Sequence, residues 1–168
     1  MNRFSIRSLY ALGLLGCVFA MAFVVFYIQR FLGLEPCPLC VAQRVSMIAT
    51  ATVFLVATIH APRGRGAWVY SGLVVLTAAS GIVLAGRHVW LQGLPPDQVP
   101  ACGPTLEYLM EMLPLLEVVQ TLLRGDGNCA IIDWTFLGFS LPWWSLFGFV
   151  ALALYALAVP FIARKEIA

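Results

Sequence analysis

The sequence predicts an all-α membrane protein: a bundle of four transmembrane helices with a short interfacial helix in its second outer loop. Three observations lead there. The 168 residues are 61% hydrophobic and only 11% charged, with a mean hydropathy of +0.91, whereas a soluble domain carries about 25% charge to hydrate its surface. Four stretches, about 9–28, 41–61, 66–88 and 143–163, reach the roughly 20 apolar residues that a helix needs to cross a bilayer. Within them Leu, Ala, Val and Gly run without the strict alternation of a barrel strand. A closed set of helices also bonds every backbone polar group where no water is available. The whole chain, 1–168, reads as a single membrane domain without internal repeats. Its net charge of +2 is too small to suggest nucleic acid.

The first span offers two processing signals. Leu14-Leu15-Gly16-Cys17 resembles a lipoprotein box and Ala20-Met21-Ala22 a signal-peptidase site. Cleavage at either should expose a polar mature sequence, but apolar residues continue to Ile28, so an uncleaved span is expected. Cys17 then sits in mid-membrane as a small apolar residue with no assigned role.

The basic residues orient the bundle. Arg3 and Arg7 precede the first span, Arg63 and Arg65 join the second to the third, and Arg164 and Lys165 follow the fourth. That face is cytoplasmic by the positive-inside rule, so both termini are expected inside and the loops at about 29–40 and 91–142 outside. Trp90, Trp143 and Trp144 are expected in the outer aromatic belt, Trp68 and Tyr10 in the inner one.

The first outer loop is too short to fold alone. The second opens on the turn-forming run Gly93-Leu94-Pro95-Pro96-Asp97. Beyond it Leu106, Leu109, Met110 and Leu113 recur at helical spacing, and after Pro114 the pattern resumes from Leu115 to Leu123. Such a segment is too polar to span and too apolar to float. It is expected as a helix on the membrane surface, or packed on the outer end of the bundle.

Four of the five cysteines lie in these two loops. Cys37-Pro38-Leu39-Cys40 abuts the second span, and Cys102 and Cys129 share the long loop. C-x-x-C alone serves a redox pair, half a zinc site or a structural bridge. Zinc is disfavoured, since no second C-x-x-C or clustered His pair exists and His60 falls on the cytoplasmic side; no metal is expected. A structural bridge across two residues would constrain little of the unfolded chain. Redox use is favoured: two dithiol pairs facing an oxidising compartment suggest electrons passed from a soluble thiol into the lipid phase.

Cys40 begins the second span, where unpaired N–H groups and the helix dipole favour an anion. Arg44 lies one turn deeper on the same face. It is either a snorkelling interface residue or a partner for the Cys40 thiolate and for an anionic, carbonyl-bearing acceptor. Arg87 and His88 close the third span at the same level. His88 is either an ordinary interfacial residue or a second contact to that acceptor.

At these residues the chain resembles the disulfide bond formation protein B (DsbB) family of bacterial inner-membrane thiol oxidases. The resemblance covers the four spans, the C-x-x-C with Arg44 four residues on, His88 at the outer end of the third span and the cysteine pair in the second outer loop. It implies a thiol:quinone oxidoreductase that reoxidises a periplasmic thioredoxin-fold oxidase of the DsbA type. Cys102 would accept attack from that partner, Cys129 would exchange with Cys37, and Cys40 would face a membrane quinone, ubiquinone or menaquinone. Arg44 and His88 match positions implicated at the quinone. A vitamin K epoxide reductase relative would carry its C-x-x-C after the paired loop cysteines, the reverse of the order here. A tetraspan scaffold with structural disulfides would leave Arg44 and the C-x-x-C spacing unexplained, and a small transporter would need more charges within its spans.

Overall fold

The computed structural model describes residues 6–95, 97–100, 114, 116–117, 120, 125 and 127–165. Helix α1, Ile6–Ala22, continues without a break as a π-helical stretch, Phe23–Phe31, whose N–H groups reach five residues back. Then come α2, Pro38–His60, α3, Arg65–Gln92, and α4, Leu141–Lys165. All four, counting α4 to Ala163, are long and apolar enough to cross a membrane. This is a multi-pass membrane protein. Pro160 lies inside α4, a placement that membrane helices tolerate.

The helix ends follow from local chemistry. Pro38 stands in the first turn of α2, where its missing N–H costs nothing. Ala61 ends that helix in the left-handed region, at φ 47°, and its N–H bonds the Ala57 carbonyl at 2.9 Å. In the π-helical stretch the wider turn brings side chains four apart into register. The Phe23 and Tyr27 rings stack at 5.2 Å, and those of Tyr27 and Phe31 at 5.7 Å.

Packing is uneven along the bundle. α3 lies along α4 over the longest interface, and α2 packs on both α1 and α3, whereas α1 meets α4 only briefly. The main core fills the inner half, around Leu9, Tyr10, Cys17, Phe54, Ala57, Val74, Ala156 and Val159. Tyr10 therefore departs from the belt position expected for it. It is fully buried, and its hydroxyl donates to the Ala67 carbonyl at 3.1 Å, a bond that a buried phenol needs. Trp68, Trp90, Trp143 and Trp144 all keep exposed surface. At the outer end a smaller cluster joins Leu39, Leu91 and Cys129.

Polar side chains link α2 to α3. Gln43 pairs with His88, the Ser80 hydroxyl donates to Ser46 at 3.1 Å, and the Thr50 hydroxyl donates to Thr77 at 3.2 Å. Bonds of this kind stabilise membrane helix pairs by about 0.6 kcal/mol each.

Of the second outer loop, the structure describes a single 3₁₀ turn, Gly127–Ala130, and a hairpin of β1, Thr135–Phe136, with β2, Phe139–Ser140. The strands pair antiparallel, Thr135 with Ser140 and Phe136 with Phe139. Leu137 and Gly138 both have positive φ, 53° and 83°, as the tight primed turn of a hairpin requires. The hairpin lies against the start of α4, where Trp144 Nε1 donates to the Phe136 carbonyl at 3.2 Å. The expected interfacial helix and Cys102 lie outside the described residues, except for a few positions between 114 and 120.

Gly13 and Gly81 have no side chain because the rings of Phe54 and Phe149 occupy that space. Phe149 is fully buried and has little room to retreat. Gly81→Ala should lower the thermal unfolding midpoint of the purified protein, at a cost of about 1–3 kcal/mol for overpacking. Gly16→Ala, whose added carbon would meet nothing within 4 Å, should leave the midpoint unchanged.

Candidate functional site

The site grows from the start of α2. Cys37 has extended backbone, φ −67° and ψ 164°, and its sulfur accepts the Cys40 N–H at 3.3 Å, so a cysteine occupies the capping position usually held by Ser or Asp. This folds the C-x-x-C into the first helical turn and brings the two Sγ atoms to 3.0 Å. One turn deeper, Arg44 Nη1 donates to Gln29 Oε1 at 2.7 Å. Its Nε is buried and has no hydrogen-bond partner among the described residues. The bond to Gln29 ties the guanidinium to the π-helical stretch of the first span.

α3 supplies His88 from the opposite side. The Arg87 guanidinium lies 4.1 Å over the Trp90 ring, while His88 is buried. His88 Nε2 is 3.8 Å from Cys37 Sγ, and its Nδ1 is 3.1 Å from the Gln43 amide nitrogen. A Gln43 N–H donated to Nδ1 leaves the proton on Nε2, aimed at the sulfur, although the amide can equally turn end for end.

The fourth contributor comes from far along the chain. The 3₁₀ turn places Cys129, fully buried, against Leu39 and Leu91. Gly125 makes the approach possible: its φ is 71°, and a side chain there would strike Leu91 and Leu39. The ligating atoms of Cys37, His88 and Cys129 consequently lie within 4.8 Å of one another. The Cys129 sulfur pulls the acidity of the Cys37 thiol toward the thiolate. The hydrogen bond with Cys40, burial and the charge on Cys40 together outweigh it and push Cys37 up to about 12.

These groups border a cavity of about 1020 Å³. Cys37, Cys40, Gln43, Arg44 and His88 provide a polar end, and Phe19, Val24, Met47 and Phe149 provide apolar wall. Trp134, Phe136 and Trp144, from the hairpin region and the start of α4, close it above. Of the six residues singled out in the sequence, Cys37, Cys40, Arg44 and His88 line this one space, and Cys129 stands beside Cys37 and His88. The sixth, Cys102, lies outside the described residues. Gln29 and Gln43 were not singled out, though each is a polar residue in or beside an apolar run. The arrangement can exchange disulfides between Cys129 and Cys37, and it can hold an apolar ligand with a polar head beside Cys40.

A family model described as Disulfide bond formation protein DsbB matches residues 6–159. The disulfide bond formation protein B of Xanthomonas oryzae pv. oryzae is 46% identical over 165 residues, which is 98% of this chain and 95% of that protein. The protein of that name from Marinobacter nauticus is 46% identical over 153 residues, 91% of this chain and 90% of its own length. Its counterpart in Hahella chejuensis is 48% identical over 144 residues, 86% and 87% of the two chains.

The cause of the Cys37 shift is testable. Cys40→Ala removes both the sulfur partner and the charge that hold the Cys37 proton, so the Cys37 pKa should fall from about 12. Alkylation of Cys37 at mildly alkaline pH should then accelerate, because thiolate is the reactive form. An unchanged rate would mean that burial alone holds the proton.

Proposed function

The chain belongs to the DsbB family and acts in disulfide bond formation, and we propose that it does so as a thiol:quinone oxidoreductase. On this reading it reoxidises a periplasmic dithiol protein of the DsbA type and passes the electrons to a membrane quinone, ubiquinone or menaquinone. The whole chain, 1–168, acts as one domain in the bacterial inner membrane, with both termini cytoplasmic and both cysteine-bearing loops periplasmic. The supporting observation is the placing of Cys37, Cys40, Arg44 and His88 on the wall of one mostly apolar cavity, with Cys129 beside Cys37 and His88.

The residues present suit a quinone. Arg44 Nε is a buried donor without a partner among the described residues, as a carbonyl ligand would require. The rest of the cavity wall is mostly apolar, which suits a lipid-dissolved molecule. When bound, a quinone supplies a two-electron, two-proton acceptor.

The chain's own residues divide the remaining work. Cys102 takes the partner's thiolate in a mixed disulfide, which releases Cys129. The partner's second thiol resolves that bond and leaves both loop cysteines reduced. Cys129 as thiolate then attacks the Cys37 sulfur of a Cys37–Cys40 disulfide, so the old bond breaks and its electron pair leaves on Cys40. That sulfur lies in the first turn of α2, where free N–H groups and the dipole favour negative charge. Cys102 next attacks Cys129, which restores the loop disulfide and frees Cys37. His88, 3.8 Å from Cys37, is placed to hold the charge on that departing sulfur. Arg44 orients the ligand head and balances the anion at Cys40.

Reconstitution tests the reading directly. Purified protein, a reduced DsbA-type partner and a soluble quinone should together bleach the quinone absorbance, two thiols oxidised per quinone consumed. Partner oxidation without quinone loss, or none at all, would refute it. A partner whose second cysteine is replaced cannot resolve the mixed disulfide, so it should accumulate on Cys102 as an adduct on non-reducing gels that reductant removes. An adduct mapped to Cys37 would reverse the proposed order.

Arg44→Lys separates the two readings of that residue. Lysine keeps the charge but lacks the planar fork of donors. Losing one charge-assisted hydrogen bond, roughly 1.5–3 kcal/mol, should raise the KM for quinone about tenfold to a hundredfold while exchange at Cys102 stays near normal. Equal quinone kinetics in the two proteins would return Arg44 to the snorkelling class.

A further inference from the structure

The residues drawn together by the fold also form a donor set that sequence separation concealed. Two sulfurs and an imidazole nitrogen, from Cys37, Cys129 and His88, lie within 4.8 Å of one another. Cys37 Sγ and His88 Nε2 are 3.8 Å apart. In a tetrahedral zinc site, with bonds of about 2.3 Å to sulfur and 2.0 Å to nitrogen, such a pair stands about 3.6 Å apart. That edge is already nearly formed, and the remaining ones need to close by at most about 1.3 Å. His88 and Cys129 are buried.

A second observation supports the set. A ligating histidine almost always has its other nitrogen held by a hydrogen-bond partner that fixes the ring. His88 Nδ1 has the buried amide of Gln43 at 3.1 Å. With that amide turned end for end, its oxygen accepts Nδ1–H, and the Nε2 lone pair points at the sulfurs.

We propose that the fully reduced protein binds one soft d¹⁰ cation of the zinc class across Cys37, His88 and Cys129, and that its occupancy stops thiol exchange. Binding releases one proton from each of the two thiols to solvent and forms two metal–thiolate bonds and one metal–imidazole bond. Two thiolates cancel the charge of a divalent ion, so the closed site is neutral and escapes the penalty on a bare buried charge. A water molecule completes the tetrahedron. With Cys37 and Cys129 on the metal, neither sulfur can attack or be attacked. No redox change occurs, and a chelator reverses the state. A disulfide offers no thiolate, so the oxidised protein does not bind. The proposal stands on this geometry alone and does not depend on which electron acceptor the protein uses.

The test titrates reduced protein in nanodiscs, under anaerobic conditions, with Cd²⁺, read by sulfur-to-metal absorption; Zn²⁺ competition against a chromophoric chelator then gives the affinity. One metal per chain is expected, with none after prior oxidation of the cysteines. Cys17→Ala should bind as the parent does. Cys129→Ser should lose the absorption band, His88→Ala should weaken binding at least tenfold, and Gln43→Leu about tenfold to a hundredfold. Parent protein loaded with Zn²⁺ should cease thiol exchange and recover on chelation. Absence of stoichiometric binding would overturn the proposal, as would full affinity in both His88→Ala and Gln43→Leu. Should Cys129→Ser fail to fold, those two variants still decide the matter.

Discussion

The first turn of α2 is the constraint on which the rest of the site depends. A helix that starts at a membrane surface has N–H groups to satisfy and too little water to satisfy them. Here Cys37 caps the helix with its own sulfur, at 3.3 Å from the Cys40 N–H. The capping bond and the 3.0 Å approach of the two sulfurs are one piece of geometry. Pro38 removes one N–H from the demand and fixes the backbone entry. Once that turn is set, helical repeat alone places Arg44 one turn below Cys40 and Gln43 toward α3. Any change that unwinds the turn would disperse the chemistry as well as the cap.

The same helix then has to hold α3 at the right height. Lipid gives helices no hydrophobic reason to choose one neighbour over another, so close packing and polar pairs do the choosing. Gln43 with His88, Ser46 with Ser80 and Thr50 with Thr77 form such a seam. At well under 1 kcal/mol each these pairs contribute little stability, but each fails if the helices slip by a residue. The topmost pair presents the His88 ring to Cys37. Orientation of the site is thus a consequence of register between two membrane spans.

How much of this was legible follows from the physics of each part. The spans were legible because bilayer crossing demands long apolar runs, and the C-x-x-C with Arg44 because a charge in such a run stands out. The seam was not: Gln43, Ser46 and Thr50 are uncharged and scarcely dent the hydropathy of their span. Tyr10 was placed in an aromatic belt by its position near a span end, yet its hydroxyl finds the Ala67 carbonyl and the ring is buried. The π-helical stretch that carries Gln29 to Arg44 has no signature in residue propensity. The approach of Cys129 to Cys37 is a long-range contact that depends on one glycine, Gly125, and on the short Leu39–Leu91–Cys129 cluster. Spacing along the chain could not announce it.

That small cluster has a further consequence. Among the described residues, one end of the bundle rests on an eight-residue core containing Tyr10 and Phe54, whereas at the other Cys129 packs with Leu39 and Leu91, flanked by Cys37, Leu84 and Leu94. Fully burying one leucine-sized side chain is worth about 1.5–3 kcal/mol, so the packing described around the turn amounts to a few such increments, fewer than in the larger core. Local openings in proteins fall where buried apolar contact is thinnest. On the proposed function Cys129 has two appointments, one with Cys37 against the bundle and one with Cys102 when the partner is engaged. A deeply packed Cys129 would keep the first and miss the second. Lighter packing among the residues described there is therefore the physical condition under which one cysteine can serve both, while the first turns of α2 keep Cys37, Cys40 and Arg44 in place to receive it.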